Sequence, residues 1–208
     1  MRISVREHHE ATHGTGDRES VALLLKVFNE HTPGVLEDLN RVAHLATDLA
    51  KRLGLSSAET ERVELAARLH DIGKVAIHQS ILHKDGPLDD QEWVIMRTHA
   101  EIGERIVRSS PSLAHIADLV RSHHERFDGT GYPDRLAGEA IAPGASIISI
   151  CAAFVAMMRH RPYSDAITVA EALGEIRRHA GTQFNPKIAA VFDELLADES
   201  LGPIGRYW

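Results

Sequence analysis

The stretch HHERFDGTGYP, from His123 to Pro133, decides how the fold of this chain is interpreted, together with HDIGK at 70–74. The first stretch joins two adjacent histidines to a glycine-rich turn that ends in Tyr-Pro, and the second places a histidine next to an aspartate. Imidazole and carboxylate ligands without cysteine are typical of iron, manganese or zinc sites rather than of calcium sites. Because the two stretches lie far apart in the sequence, a shared metal site requires a fold that brings them together.

Histidines continue the apolar stripes of three predicted helices. Val63, Ala66 and Ala67, for example, precede His70 on one helical face. A single histidine on such a stripe is usually a core residue with its own hydrogen bonds. Several of them beside an aspartate are harder to explain in this way, because buried imidazoles and a carboxylate need partners and a shared cation satisfies them all. The predicted ligand group is His70, Asp71, His99, His123 and His124.

Helical stripes run along most of the chain, and no pair of strands with a period of two is visible. The sequence therefore predicts an all-α fold, a helical bundle without internal repeats. The predicted helices span 20–30, 33–53, 57–72, 89–107, 113–126, 145–158, 168–179 and 186–197. Four parts are expected along the chain: a flexible N-terminal arm at 1–18, an amphipathic helix at 19–31, a main domain at 32–198 and a C-terminal tail at 199–208.

The segment 140–158 carries no charged residue and approaches the roughly 20 apolar residues that span a membrane. Pro143 and Gly144 interrupt its start, and Ser146 and Ser149 dilute it. We therefore expect a helix buried in the core of the domain and no membrane association.

The composition of the chain indicates which classes of ligand it could bind and in which cellular compartment it is expected. The chain has 208 residues and a formal net charge of -7, which argues against nucleic-acid binding, since that normally requires a basic stripe. A small anionic ligand needs only a local basic patch. The single cysteine, Cys151, excludes an internal disulfide framework and fits the reducing cytoplasm. The first residues contain no apolar run, so no secretory signal is predicted.

Four further residues are candidates for the site, each with a plainer alternative. Asp38 is in register with the buried stripe of its helix, but it is equally interpreted as a partly exposed carboxylate in an early turn. Lys74 is placed to point at a metal-bound phosphate, or is a solvated lysine beyond a helix end. Tyr132 is presented on the glycine-rich loop, because the following proline favours an extended backbone. Arg161 offers a bidentate phosphate donor, or is merely solubilising.

These motifs resemble those of the HD-GYP family, the bacterial subgroup of HD metal-dependent phosphohydrolases that degrades cyclic di-GMP. The matching runs occur in family order: HDIGK at 70–74, HAEIG at 99–103, HHERFDGTGYP at 123–133, RPY at 161–163 and GTQF at 181–184. The resemblance implies an HD-domain helical bundle with a Gly-rich GYP loop. It also implies a centre of two or three iron or manganese ions. For this chain we expect one or two divalent ions, iron or manganese, with zinc as the alternative.

The resemblance also assigns roles to the predicted site residues. It implies that Asp71 bridges two metals and that His70 binds the first of them. The second metal would be bound by His99, His123 and His124. Lys74, Tyr132 and Arg161 match family positions that contact the dinucleotide, and Lys74 and Asp71 would serve catalysis.

This chain departs from the family at several ligand positions. The family's histidine three residues before Arg41-Val42 is Asp38 here, and a glutamate that some members add four residues earlier is Gly34. The family's Asp-x-x-Asp, whose first aspartate is a metal ligand, is Ala152-Ala-Phe-Val155. A third metal is therefore not expected, and the first-metal site is predicted to be weakened.

Two hypotheses from different classes follow. The leading one is a cytoplasmic phosphodiesterase that hydrolyses cyclic di-GMP to pGpG or GMP with weakened activity. The alternative, suggested by Ala152 and Val155, is a catalytically silent module that binds cyclic di-GMP or docks a protein partner through the GYP loop.

The amphipathic helix at 19–31 is interpreted as packing on the core, with a role in a homodimer as the alternative.

Overall fold

The computed structural model describes residues 4–159 and 167–197, with side chains from residue 16 onward. The described residues form ten α-helices and no strand, apart from one isolated bridge between Ala180 and Phe184, which confirms the all-α prediction. The α-helices are α1 (Ser4–His31), α2 (Val35–Arg52), α3 (Ser57–Leu69), α4 (Gln79–Leu82), α5 (Asp90–Arg97), α6 (His99–Arg108), α7 (Ala117–Ser122), α8 (Pro143–Met158), α9 (Val169–Arg178) and α10 (Pro186–Ala197). Short 3₁₀ helices span Ile72–Ala76, Ala114–Ile116 and Gly138–Ala140.

The uncharged helix α8 lies in the core of the bundle. It packs against α2, α3, α7, α9 and α10, and half of its residues are buried. Phe154 is fully enclosed and meets the ring of Phe192 on α10 at a centroid distance of 5.3 Å. A charge on most faces of this helix would lose its water without gaining a partner, which explains why the sequence has none. Within the described ranges, no helix combines the length and apolar character needed to cross a membrane.

The first helix is longer than predicted, because α1 begins at Ser4. A glycine inside a helix costs only about 1 kcal/mol, so the helix continues through Gly14 and Gly16. The division of the chain into an arm at 1–18, a helix at 19–31, a main domain at 32–198 and a tail stays a prediction. Further along, Val21 and Phe28 are buried, and α1 packs on α2, on α3 and on the 3₁₀ helix after α3.

Several predicted helices end earlier or begin later than the stripes suggested. The helix predicted at 89–107 is two helices, α5 and α6, which meet at Thr98, whose hydroxyl donates to the Ile95 carbonyl at 2.7 Å. The helix predicted at 113–126 ends at Ser122, so the paired histidines lie just beyond it. The second helix begins at Val35 rather than Pro33, because Gly34 adopts φ 83° and caps it.

Two predicted features lie outside the described residues. These are Arg161, with the motif that contains it, and the tail predicted at 199–208.

Candidate metal centre

Asp71 lies where three segments of the chain meet. It follows His70, the C-cap of α3, and is the N-cap of the 3₁₀ helix Ile72–Ala76. Its Oδ1 lies 3.4 Å from His99 Nε2 and 3.9 Å from His123 Nε2. Its Oδ2 lies 3.4 Å from His70 Nε2 and 2.6 Å from Lys74 Nζ. One carboxylate oxygen therefore faces His99 and His123, and the other faces His70 and Lys74. This arrangement is expected for a carboxylate that bridges two metal ions.

Each buried histidine is oriented by a backbone carbonyl three residues earlier in the chain. The Nδ1 of His99 lies 2.6 Å from the Met96 oxygen, and that of His123 lies 2.7 Å from the Val120 oxygen. Because a carbonyl only accepts hydrogen bonds, Nδ1 carries the proton and Nε2 keeps a free lone pair. A hydrogen bond of this kind on one ring nitrogen is the usual way in which proteins orient a metal-binding imidazole.

Four ligand atoms converge within 4.8 Å of one another, one each from Asp71, His99, His123 and His124. Asp71 Oδ1 and the Nε2 atoms of His99 and His123 are buried, and no described residue gives them a hydrogen bond. Unpaired buried polar atoms are unfavourable, and one cation would satisfy all three. The four residues therefore fit a divalent metal ion.

The charge states of these groups suit a cation. Burial lowers the pKa of His99, and it lowers the pKa values of His123 and His124 well below the ordinary value. Burial opposes ionisation of Asp71, but the Lys74 ammonium and the His70 ring outweigh it and hold the pKa of Asp71 well below its usual range. The cluster therefore presents neutral imidazoles and an ionised carboxylate, the forms that bind metals.

The two residues predicted for a first metal differ in their placement. The centroid of the His70 ring lies 5.1 Å from that of the His123 ring. Its Nε2 lies 3.4 Å from Oδ2 of Asp71, the oxygen that does not face His99 and His123. Its Nδ1 lies 2.8 Å from the Ala67 carbonyl oxygen. It is therefore beside the four-ligand cluster, with its Nε2 facing Oδ2 of Asp71. Asp38 is not among the converging ligands.

Asp38 is instead engaged by two guanidinium groups. Its Oδ2 accepts from Arg159 Nη1 at 2.5 Å, and its Oδ1 lies 3.5 Å from Arg41 Nη1. Arg159 follows the last residue of α8, the helix in which the family's ligand aspartate is replaced by Ala152. Two positive partners compete with a metal for this carboxylate. The metal-ligand role predicted for Asp38 stays a prediction.

Tyr132 lies over the cluster. Its ring stacks on the His124 ring, with centroids 4.8 Å apart and an interplanar angle of 21°. Burial raises the pKa of the phenol, so the hydroxyl stays protonated and can donate a hydrogen bond. The loop prediction is consistent with this placement, because the glycine-rich segment brings the ring to the histidines.

The loop is fixed by residues whose role the motif alone did not reveal. Glu125 is only 2% exposed, and its carboxylate accepts hydrogen bonds from the Asp134 and Leu136 backbone at 2.7 and 3.1 Å. Arg121 donates to the Asp134 carboxylate at 2.6 and 2.8 Å and to Glu104 of α6 at 2.8 Å. These bonds tie the loop after Tyr132 to α6 and to the end of α7.

Glycines also position the site, and sequence reasoning missed the role of Gly73. A Cβ atom on Gly73 would overlap the His99 carbonyl oxygen and the Gly103 amide nitrogen. A Cβ atom on Gly131 would overlap backbone atoms of His124, Glu125 and Arg126. The signal was present, since Gly73 lies inside HDIGK and Gly103 ends HAEIG, but contact between two backbones requires the fold to be known.

A bundle of helices in which an adjacent His-Asp pair meets buried histidines from two other segments has the architecture of an HD domain. The family model described as HD domain matches residues 22–188. The chain therefore belongs to the HD domain family.

Known relatives agree with this assignment. The chain is 38% identical over 173 residues to the cyclic di-GMP phosphodiesterase response regulator RpfG of Xanthomonas campestris pv. campestris, covering 82% of this chain and 46% of that protein. It is 40% identical over 165 residues to 3′3′-cGAMP-specific phosphodiesterase 2 of Vibrio cholerae, covering 76% and 32%. The HD-GYP resemblance seen in the motifs is confirmed. The chain spans less than half the length of these curated relatives.

A solved structure shares the fold. Bd1817, an HDG"Y"P protein from Bdellovibrio bacteriovorus, superposes with a TM-score of 0.63 at 20% sequence identity. The match covers 77% of this chain and 52% of that one.

Proposed function

We propose that this chain is a metal-dependent phosphodiesterase that hydrolyses cyclic di-GMP to pGpG or GMP, with weakened activity. The observation that carries this proposal is the convergence of four ligand groups with buried, unpaired nitrogen and oxygen atoms. Relatives named as cyclic di-GMP and cGAMP phosphodiesterases support the substrate class. The reaction adds water across one P–O3′ bond, so that the phosphate keeps its 5′ ester and the 3′ oxygen leaves as a hydroxyl.

One divalent ion, iron or manganese by family resemblance and zinc as the alternative, would be held by Asp71, His99, His123 and His124. When bound, such an ion lowers the pKa of water and polarises the phosphate. A second ion would be bound by His70 and by the other oxygen of Asp71. Position 152 would add no ligand, because alanine has no donor atom in its side chain. We therefore propose one tightly held ion per chain and a second that is weakly held, which accounts for weakened activity.

The phosphate would be received by residues at the edge of the cluster. Lys74 Nζ lies 2.6 Å from Asp71 Oδ2, so its ammonium is placed to offset the charge of a phosphate that approaches the ligands. The protonated hydroxyl of Tyr132 provides a donor on the other side of His124. Arg161 remains a proposed third contact from the sequence.

A second candidate function rests on the same departures. With Asp38 paired to Arg159 and Ala152 in place of an aspartate, the chain would be a catalytically silent module that binds the dinucleotide. Both functions place the chain in the cytoplasm, where cyclic dinucleotide signalling takes place and a single cysteine stays reduced.

The test is turnover of cyclic di-GMP by protein purified without oxygen and supplied with iron(II) or manganese(II). An Asp71→Ala variant is the control, since it removes the carboxylate between the two metal positions. Turnover by the native chain that is lost in the control supports the phosphodiesterase. Metal-loaded protein that binds cyclic di-GMP without hydrolysing it favours the silent module, and protein that does neither contradicts both functions.

A further inference from the structure

Helix α5 lies beside the metal centre without taking part in the core. None of its residues is buried, and Trp93 is 44% exposed. A large aromatic side chain stabilises a fold mainly when it is buried. The half-exposed indole of Trp93, on a helix outside the core, therefore contributes little to the stability of the fold and suggests a role in binding.

Arg97, one turn after Trp93, joins this helix to the GYP loop. Its guanidinium carbon lies 5.9 Å from the centroid of the Trp93 ring and 5.5 Å from that of the Tyr132 ring. Tyr132 in turn stacks on His124, one of the four converging ligands. A nucleotide whose phosphate lies at the ligand cluster would therefore bring its base towards Arg97 and Trp93.

Among the residues that the structure describes, the guanidinium of Arg97 forms no ion pair with a carboxylate and donates no hydrogen bond. Arg121 and Arg126, which lie around the same loop, are by contrast bonded to Asp134 and Asp128. The flat guanidinium of Arg97 keeps its donors available for a ligand.

We propose that Trp93 and Arg97 form a purine subsite that selects guanine in a cyclic dinucleotide. The indole offers a stacking face, and bases stack on aromatic rings and on guanidinium planes. Arginine donates two parallel hydrogen bonds to the O6 and N7 acceptors of guanine, whereas adenine presents an amino donor at the position of O6. This inference rests on the proposed function, because it names the base that the same site recognises.

The kinetic test compares variants on substrates with and without purines. Arg97→Gln and Trp93→Ala are matched with Arg105→Gln, an exposed arginine on α6, and with Val94→Ala, which is 66% exposed on the same helix. The substrates are cyclic di-GMP, cyclic di-AMP and bis(p-nitrophenyl) phosphate. For Arg97→Gln we expect the kcat/KM ratio of cyclic di-GMP to bis(p-nitrophenyl) phosphate to fall about 10-fold or more, with most of the change in KM. The preference for guanine over adenine should fall with it, and both control variants should keep the native ratios.

A binding test works whether or not the chain is an enzyme. The chain has two tryptophans, Trp93 and Trp208, so a Trp208→Phe background leaves Trp93 as the single indole probe. In metal-loaded protein, GMP should quench its fluorescence at lower concentration than AMP, and Arg97→Gln should remove the difference. Equal quenching by GMP and AMP, or unchanged kinetics in both subsite variants, would overturn the subsite. Failure of the native chain to hydrolyse cyclic di-GMP while GMP still quenches selectively would instead overturn only the proposed catalysis.

Discussion

In His99 and in His123, Nδ1 is hydrogen-bonded to a backbone carbonyl and Nε2 faces Asp71. The carbonyls belong to residues three positions earlier, so the backbone just before each histidine sets the orientation of its ring. A buried imidazole arranged in this way is a poor core residue, because its free nitrogen lacks a partner, but a good ligand. The same argument separates these histidines from exposed ones such as His115, which has no buried nitrogen to satisfy.

Ala152 provides the first prediction at this scale. The family resemblance places a ligand aspartate at this position, so Ala152→Asp should restore a carboxylate to the weak metal position. Bound manganese should rise from about one ion per chain to about two, because each added ligand raises site affinity. The measurement is the metal content after gel filtration, determined by mass spectrometry.

The neighbouring Ala153→Asp provides the control for this experiment, since Ala153 is also half-buried but one position further around α8. It should leave the metal content unchanged. A manganese content that stays at the native value in Ala152→Asp would contradict the prediction and leave the Asp38 ion pair with Arg159 as the stronger obstacle to a second ion.

Residue types along the sequence were enough to predict the ligand group but not the partners of each residue in it. His70, Asp71, His99, His123 and His124 were all predicted, because paired motifs and apolar stripes are local features. The partners of Asp38 were not, since Arg159 lies at the end of a helix that is distant in sequence. Arg97 was missed because its neighbours are an aromatic ring on its own helix and another on a loop.

Among the secondary-structure elements, the 3₁₀ helix after α3 provides the second prediction. Gly73 allows this segment to touch the backbone of α6, which is what brings Asp71 to His99. Gly73→Ala should lower the free energy of unfolding by about 1–3 kcal/mol, because the backbones must separate to admit a methyl group. It should also weaken manganese binding. Urea unfolding and a manganese titration measure the two effects.

Gly174→Ala is the matched control for this change. Gly174 lies inside α9, and a Cβ atom there meets nothing within 4 Å. The alanine should raise the free energy of unfolding by about 0.5–1 kcal/mol, because it reduces the freedom of the unfolded chain. A Gly73→Ala variant as stable as Gly174→Ala would show that close backbone contact does not position Asp71.

The elements themselves were predicted well where one face is buried and poorly where the backbone turns. The predicted last helix, at 186–197, matches α10. The single helix predicted at 89–107 failed because Thr98 ends α5, and apolar spacing does not register such a break. The histidines at 123 and 124 were assigned to a helix because they continue its stripe, yet they lie beyond its last turn.

At the scale of the whole molecule, the metal centre joins segments that have little else in common. Asp71 follows α3, His99 begins α6 and His123 follows α7, so one ion would bind three separate parts of the bundle together. Because these ligands come together only in the folded chain, the free energy of metal binding adds to the free energy of folding. The unpaired atoms of the cluster make this effect larger, since without a cation they remain buried and unsatisfied.

Manganese should therefore raise the melting temperature of the protein, and chelation should reverse the effect. At a free concentration of about 100 times Kd, one site adds about 2.7 kcal/mol, which for a chain of this size corresponds to a rise of roughly 5–11 °C. His123→Ala removes a ligand and should abolish most of this rise, whereas His115→Ala, an exposed histidine in the 3₁₀ helix Ala114–Ile116, should keep it. Differential scanning calorimetry with and without a chelator measures all three proteins. An equal rise in the His123→Ala and His115→Ala proteins would mean that manganese stabilises the chain elsewhere, and the four converging ligands would then not be the metal centre.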